Sequence, residues 1–167
     1  IKIKLINNRV VITGIGVVAP NALGAADFEV ALKEGRSGIR FFEESQSLNF
    51  RCQIAARPLI TDAYKARYFD DYYHNKLENK AIIYACLAGF EAWENAGLSY
   101  SNDQIDFDSG MVIGSGALGM DSTTADIWSK IISGNNKRLG SRAIPQCMSS
   151  GAAAYLNKIL GLGNRVL

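Results

Sequence analysis

The sequence is poor in histidine and cysteine, the residues that most often hold metals or form disulfides. It has one histidine, His74, and three cysteines, Cys52, Cys86 and Cys147. No two cysteines have the C-x-x-C spacing, and an odd number is more typical of a reducing compartment than of a disulfide framework. We therefore expect no local metal cluster, and we predict that the cysteines are small buried side chains and that His74 is a polar loop residue.

The chain also lacks a marked excess of charge and lacks a long apolar run. Its 18 Lys and Arg residues against 16 Asp and Glu residues give a net charge of +2, and the basic residues are scattered. This distribution argues against a nucleic-acid partner. No apolar run approaches the roughly 20 residues that span a bilayer, and the first six residues are too short and too charged for a signal peptide. We expect a soluble, cytoplasmic protein without membrane contact.

The order of the predicted elements indicates an α/β fold. Apolar runs at residues 10–13 (Val-Val-Ile-Thr) and 111–113 (Met-Val-Ile) each end in a Gly-x-Gly turn, and we expect both to be buried strands. A short helix is predicted at residues 27–33, with Gly35 just beyond its end. Such alternation is typical of layers around a mainly parallel sheet. Residues 40–57 are predicted to be irregular, with possible short strands.

The clearest predicted element is a helix at about residues 78–96. Alanines recur there at spacings of three or four, and Gly97 follows. Small residues on one face let a neighbouring element approach closely, so we expect this helix to be deeply buried. Further helices are predicted at about residues 123–132 and 150–160, and residues 161–167 are predicted to begin another strand.

Both glycine turns fit the pattern G-x-G-x-x-G/A, at residues 14–19 and 114–119. The pattern alone is weak evidence for dinucleotide binding. That use needs a helix that opens on the last glycine and an acidic residue about 20 residues further on. Pro20 and Asn21 follow the first turn, and neither copy has its acidic residue in place. We therefore expect no cofactor.

Five motifs in the same order resemble the β-ketoacyl-[acyl carrier protein] synthases, with details most similar to the synthase I type. They are residues 10–20 (Val-Val-Ile-Thr-Gly-Ile-Gly-Val-Val-Ala-Pro), 35–39 (Gly-Arg-Ser-Gly-Ile), the long helix with 83–87 and 94–98, 114–116 (Gly-Ser-Gly) and 147–152 (Cys-Met-Ser-Ser-Gly-Ala). The resemblance implies an α/β, thiolase-like fold. Residues 1–167 would be the N-terminal portion of its first α/β half, with the rest of the fold outside this chain.

The resemblance also implies an activity, that of an acyltransferase of fatty acid biosynthesis. Such an enzyme elongates an acyl chain by decarboxylative Claisen condensation with malonyl-[acyl carrier protein]. Its nucleophilic cysteine would lie a few residues beyond Leu167, so no catalytic residue is expected in this chain and Cys147 is not the nucleophile. For substrate binding the resemblance implies Ala117 and Met148, at positions that line the acyl-chain tunnel. Ordinary core packing is an equal alternative for both residues.

One departure from the family's pattern keeps a second interpretation open. Lys80 stands where the family often has an acidic residue. A chain-length-factor-like subunit shares this N-terminal half and pairs with an active synthase in a polyketide or polyene pathway without condensing anything itself. The implied partners are an acyl carrier protein and a second copy in a homodimer, or alternatively a synthase subunit in a heterodimer.

Overall fold

The computed structural model describes residues 9–70, 77–99, 105–141 and 143–167. The prediction for His74 lies outside these residues. Two antiparallel strand pairs are present, Val18–Ala19 with Ala22–Leu23 and Ile39–Phe41 with Ile54–Ala56. The longer helices are Ala25–Lys33, Lys80–Asn95 and Gly151–Leu160. The shorter helical segments are Glu43–Ser47, Asp62–Ala66, Met120–Ser122, Ser129–Ile132 and Ala143–Cys147, with a π-helix at Thr123–Trp128 and a 3-10 helix at Asn136–Arg138.

The core lies between Lys80–Asn95, which we call the central helix, and the Gly151–Leu160 helix. The central helix buries one apolar face, and Phe90 at its middle is fully buried and stacks on Tyr68 with ring centroids 5.6 Å apart. A Cβ on Gly89 would lie only 2.3 Å from Cδ2 of Leu156 in the second helix. The prediction of a buried helix that is closely approached by a neighbour is therefore confirmed.

The ends of the predicted helices agree closely with the structure. The central helix ends through Gly97, whose φ is +72°, and the Leu98 N–H donates to the Trp93 carbonyl at 3.1 Å. This pairing is the Schellman arrangement that glycine favours. The helix predicted at residues 27–33 begins two residues earlier, at Ala25. The helix predicted at residues 123–132 begins at Met120, and its middle is π-helical.

The prediction of a buried strand at residues 10–13 is wrong. The segment forms no ladder with any described residue, and Val10 and Ile12 are 90% and 86% exposed. A β-branched run becomes a buried strand only where neighbouring strands supply backbone partners and a covering layer. The described part of the chain supplies neither, so the segment is held only at its end, by residues 14–17.

The strand predicted at residues 161–167 does find a parallel partner. The Met111 N–H donates to the Arg165 carbonyl at 2.8 Å, and the Leu167 N–H donates back to the Met111 carbonyl at 2.9 Å. Parallel bridges also join Asp106 to Leu162 and Met111 to Val166. The parallel pairing is confirmed here, but Val112 is 79% exposed, so the prediction of a fully buried strand at residues 111–113 is wrong.

Two further expectations need correction. Residues 40–57 are more ordered than predicted, because the Ile39–Phe41 and Ile54–Ala56 strands pair in antiparallel register around the Glu43–Ser47 helix. Cys86 is buried and Cys147 partly buried, but Cys52 is exposed because it lies in the loop leading into this outer strand. No helix in the described ranges is long and apolar enough to cross a bilayer.

Candidate functional site

The first glycine turn, at residues 14–16, packs directly on the central helix. A Cβ on Gly14 would lie 2.1 Å from the carbonyl oxygen of Ala92, and a Cβ on Gly16 would lie 1.9 Å from that of Ala88. Only glycine permits such an approach of one backbone to another. The turn therefore serves close packing of residues 14–16 on the helix, which accounts for both glycines.

A carboxylate in the central helix holds this turn in place. Glu91 accepts hydrogen bonds from the Val17 N–H and the Ala25 N–H, both at 2.7 Å. Ala25 is the first residue of the Ala25–Lys33 helix, whose positive end favours a negative group. One side chain thus joins three elements, and neutral side chains would make weaker bonds there.

We expect Glu91→Gln to lower the free energy of unfolding by about 2 kcal/mol, because the amide loses the charge and presents an NH₂ group to one of the two N–H donors. Denaturant titration of the natural protein and the variant measures the loss. The matched control is Glu29→Gln, which breaks only the exposed Glu29–Lys33 pair and should cost less than about 0.5 kcal/mol. Equal losses would show that Glu91 acts as an ordinary surface carboxylate.

The second glycine turn, at residues 114–119, borders a groove of about 500 Å³. Ala117 is exposed on one wall, and Tyr84 of the central helix and Phe42 lie on the others. Charged side chains also line the groove, among them Lys80 and Asp121. The groove is therefore part apolar and part charged, and Ala117 is one of several small residues that line it.

The N-terminus of the central helix is held by buried polar groups. Asn79 is fully buried and caps the helix, because its Oδ1 accepts from the Ile82 N–H at 3.0 Å. Its amide nitrogen donates to the carbonyl oxygen of Gln146. In return, Oε1 of Gln146 accepts from the Glu78 and Asn79 N–H groups at 2.9 and 3.2 Å. Such a reciprocal pair satisfies groups that would be costly to bury alone.

An acidic side chain from a distant part of the sequence bonds to the first residue of the central helix. Asp121 accepts a hydrogen bond from the Lys80 N–H at 3.0 Å. Because Lys80 is the first residue of the central helix, the Asp121 carboxylate lies at its positive end. A carboxylate 41 residues away in the sequence thus lies at the N-terminus of the central helix.

Cys147 and Met148 lie in the segment that precedes the Gly151–Leu160 helix. The Thr123 hydroxyl donates to the Cys147 sulfur at 3.2 Å, and Met148 is 50% exposed. No group of three or more His, Cys, Asp or Glu side chains within the described ranges could hold a metal ion. Ala117 lines the groove at the second glycine turn, but Met148 is not among the groove's lining residues.

Comparison with protein families decides the assignment. Residues 7–166 match the family model described as beta-ketoacyl synthase, N-terminal domain. The chain belongs to the β-ketoacyl synthase family. It is similar to the 3-oxoacyl-[acyl-carrier-protein] synthase 2 of Coxiella burnetii, with 32% identity over 118 residues, which are 67% of this chain and 26% of that protein.

Two solved structures share the fold of this β-ketoacyl synthase chain. One is the ishigamide ketosynthase/chain length factor, with a TM-score of 0.76, 17% identity, and coverage of 94% of this chain and 38% of that chain. The other is a type II polyketide synthase acyl carrier protein in complex with its ketosynthase bound to the hexaketide, with a TM-score of 0.65, 22% identity, and coverage of 95% and 37%. The fold is α/β and thiolase-like, and the chain spans well under half the length of each of the three proteins named here.

The substrate-binding roles of Ala117 and Met148 in this member of the β-ketoacyl synthase family stay predictions. Sequence reasoning missed Glu91, Asn79, Gln146 and Asp121, which hold the surrounding segments in place. Asn79 carried a usable signal, because an asparagine directly before an apolar helical run is a common N-cap. The other three act over separations of 41 to 74 residues, and no local pattern marks such partners.

Proposed function

We propose that residues 1–167 are the N-terminal portion of a β-ketoacyl synthase domain in a condensing enzyme of fatty acid biosynthesis. The match of residues 7–166 to the family's N-terminal domain carries this proposal. The reaction is a decarboxylative Claisen condensation, which makes the protein an acyltransferase. Relatives named 3-oxoacyl-[acyl-carrier-protein] synthase support the fatty acid assignment.

The chemical groups of the reaction are proposed to lie beyond Leu167. A cysteine thiolate there attacks the acyl thioester of a carrier protein, and the carrier's thiol leaves. Malonyl carrier protein then loses CO₂, its carbanion attacks the enzyme-bound thioester, and the cysteine thiolate leaves with the 3-oxoacyl product on the carrier. A helix N-terminus stabilises such a thiolate, and backbone N–H groups stabilise the oxyanion.

The chain's own part in this reaction is to build the scaffold and line the acyl chain with Ala117 and Met148. Ala117 is exposed and Met148 is 50% exposed, so the described residues leave both side chains accessible to a ligand. The partner that we propose is an acyl carrier protein, as in the solved complex of a ketosynthase with its carrier. The proposed assembly is a homodimer.

The test is condensation by the natural protein that contains this chain. It is incubated with acyl and malonyl carrier proteins, and CO₂ release and the 3-oxoacyl product are measured by mass spectrometry. Peptide mapping after iodoacetamide treatment then reads the residues that follow Leu167. Product together with a labelled cysteine just beyond Leu167 supports the proposal.

A different residue at that position, with no product from the protein alone, would contradict the proposal. Activity that returns only when a synthase subunit is added would then favour the chain-length-factor-like alternative and a heterodimer. Lys80 is the feature of the sequence that supports the chain-length-factor-like alternative.

A further inference from the structure

The second glycine turn and the end of the Ala143–Cys147 helix meet at the N-terminus of the central helix. The glycine turn carries Ala117 and ends at Gly119, and the segment 146–148 carries Met148. A Cβ on Gly119 would lie 2.6 Å from the Cys147 Cα and 2.8 Å from the Gln146 carbonyl oxygen. The two segments are therefore in direct backbone contact.

Buried hydrogen bonds hold the segment 146–148 against the central helix. Gln146 is only 6% exposed, and its side-chain oxygen accepts from two N–H groups at the start of the helix, those of Glu78 and Asn79. The Asn79 side chain donates in the opposite direction, to the Gln146 carbonyl. Low surrounding polarity strengthens such bonds and makes an unpaired member costly. The position of residues 146–148 is thus set by this pair.

The second glycine turn, at residues 114–119, contacts the same Asn79–Gln146 pair. The Cβ position of Gly119 lies 3.3 Å from the amide nitrogen of Asn79, and Gly119 has a φ of +81° that other residues rarely adopt. The Thr123 hydroxyl adds a second link across the junction through its hydrogen bond to the Cys147 sulfur. If Gln146 moved, Gly119 would therefore have to move with it, and so would Ala117, which lies two residues earlier in the chain.

We propose that the Asn79–Gln146 pair is a positioning element for the acyl chain, because it fixes the turn of Ala117 against the segment of Met148 and so sets the acyl-chain length that the protein prefers. This inference rests on the proposed function, in which those two residues line the chain. The pair touches neither the substrate nor the reacting atoms.

The test compares Gln146→Met with Gln146→Glu in the natural full-length protein. Methionine has a similar length but no acceptor, whereas glutamate keeps an oxygen for both N–H groups. Rates are measured with hexanoyl and with hexadecanoyl carrier protein, and their ratio is the readout. We expect Gln146→Met to change the ratio by about fivefold or more and Gln146→Glu to keep it close to that of the natural protein.

The control for a merely structural effect is Glu91→Gln, which weakens a different anchor of the same helix. We expect it to leave the ratio unchanged. An unchanged ratio in Gln146→Met, or an equal change in Glu91→Gln, would overturn the inference.

Hydrogen exchange supplies a readout that does not need activity. Gln146→Met should raise exchange in the peptide that contains residues 114–122, although residue 146 lies outside it. Unchanged exchange there would overturn the coupling of the two segments. Absence of condensation by the natural protein would instead contradict the proposed function, and the exchange experiment would still decide the coupling.

Discussion

Replacing Gly16 by alanine should lower the free energy of unfolding by more than about 3 kcal/mol. The added Cβ would lie 1.9 Å from the Ala88 carbonyl oxygen and 2.6 Å from the Ala92 nitrogen. Both are backbone atoms in the middle of the central helix, so no side-chain rotation relieves the overlap. The segment would have to move away, and this movement would also stretch the bond from the Val17 N–H to Glu91. Denaturant titration of the natural protein and the variant measures the loss.

Gly140→Ala is the matched control for this substitution. No described atom lies within 4 Å of the Cβ position at Gly140, and its φ is outside the left-handed region. The same chemical change should therefore alter the free energy of unfolding by no more than about 0.5 kcal/mol. Similar losses in the two variants would contradict the packing account of residues 14–16, because the effect of alanine on the unfolded chain is alike at both sites and favours folding.

Cys86 should react with iodoacetamide at least about 1,000-fold more slowly than Cys52 in the native protein at pH 8. Burial raises the pKa of Cys86 to about 12. At pH 8 about one Cys86 thiol in 10⁴ is then ionised, whereas about one in four is ionised for a free thiol with a pKa of about 8.5. The buried side chain is also closed to the reagent, while Cys52 is exposed. Time-resolved peptide mass spectrometry gives both rates.

The way in which Cys86 labelling depends on pH follows from the raised pKa of its thiol. Because the folded-state value lies above that of a free thiol, Cys86 stays protonated from pH 7 to pH 9 and its labelling should remain slow throughout. In denaturant the two cysteines should react at similar rates, which serves as the control. Comparable rates in the native protein would mean that the central helix exposes its buried face, contrary to the packing described above.

Local patterns predicted the longer helices well. The central helix has alanines at helical spacing, an asparagine cap at Asn79 and a glycine stop at Gly97, and all three signals lie within the element or next to it. The Gly151–Leu160 helix likewise ends at Gly161, whose φ is +68°. Helix ends are decided by the nearest few residues, so a sequence can specify them without a partner.

Strands were predicted less well, because a strand depends on its neighbours. Residues 10–13 have the composition of a buried strand, yet no described residue pairs with them. Residues 161–167 have a weaker pattern but pair with the segment that contains Met111. The exposure of Cys52 has a similar cause, since its place in a loop beside the Ile54–Ala56 strand could not be deduced from its own type.

The sequence by itself determined the family and the three longer helices with their ends, because these depend on motifs and on contacts between near neighbours. The tertiary structure alone decided how the segments are anchored. Glu91 reaches Val17 across 74 residues, and Gln146 reaches Glu78 across 68. A hydrogen bond between such distant residues forms only after the fold has brought both segments together. No local sequence pattern around Glu91 or Gln146 indicates which residue will be its partner.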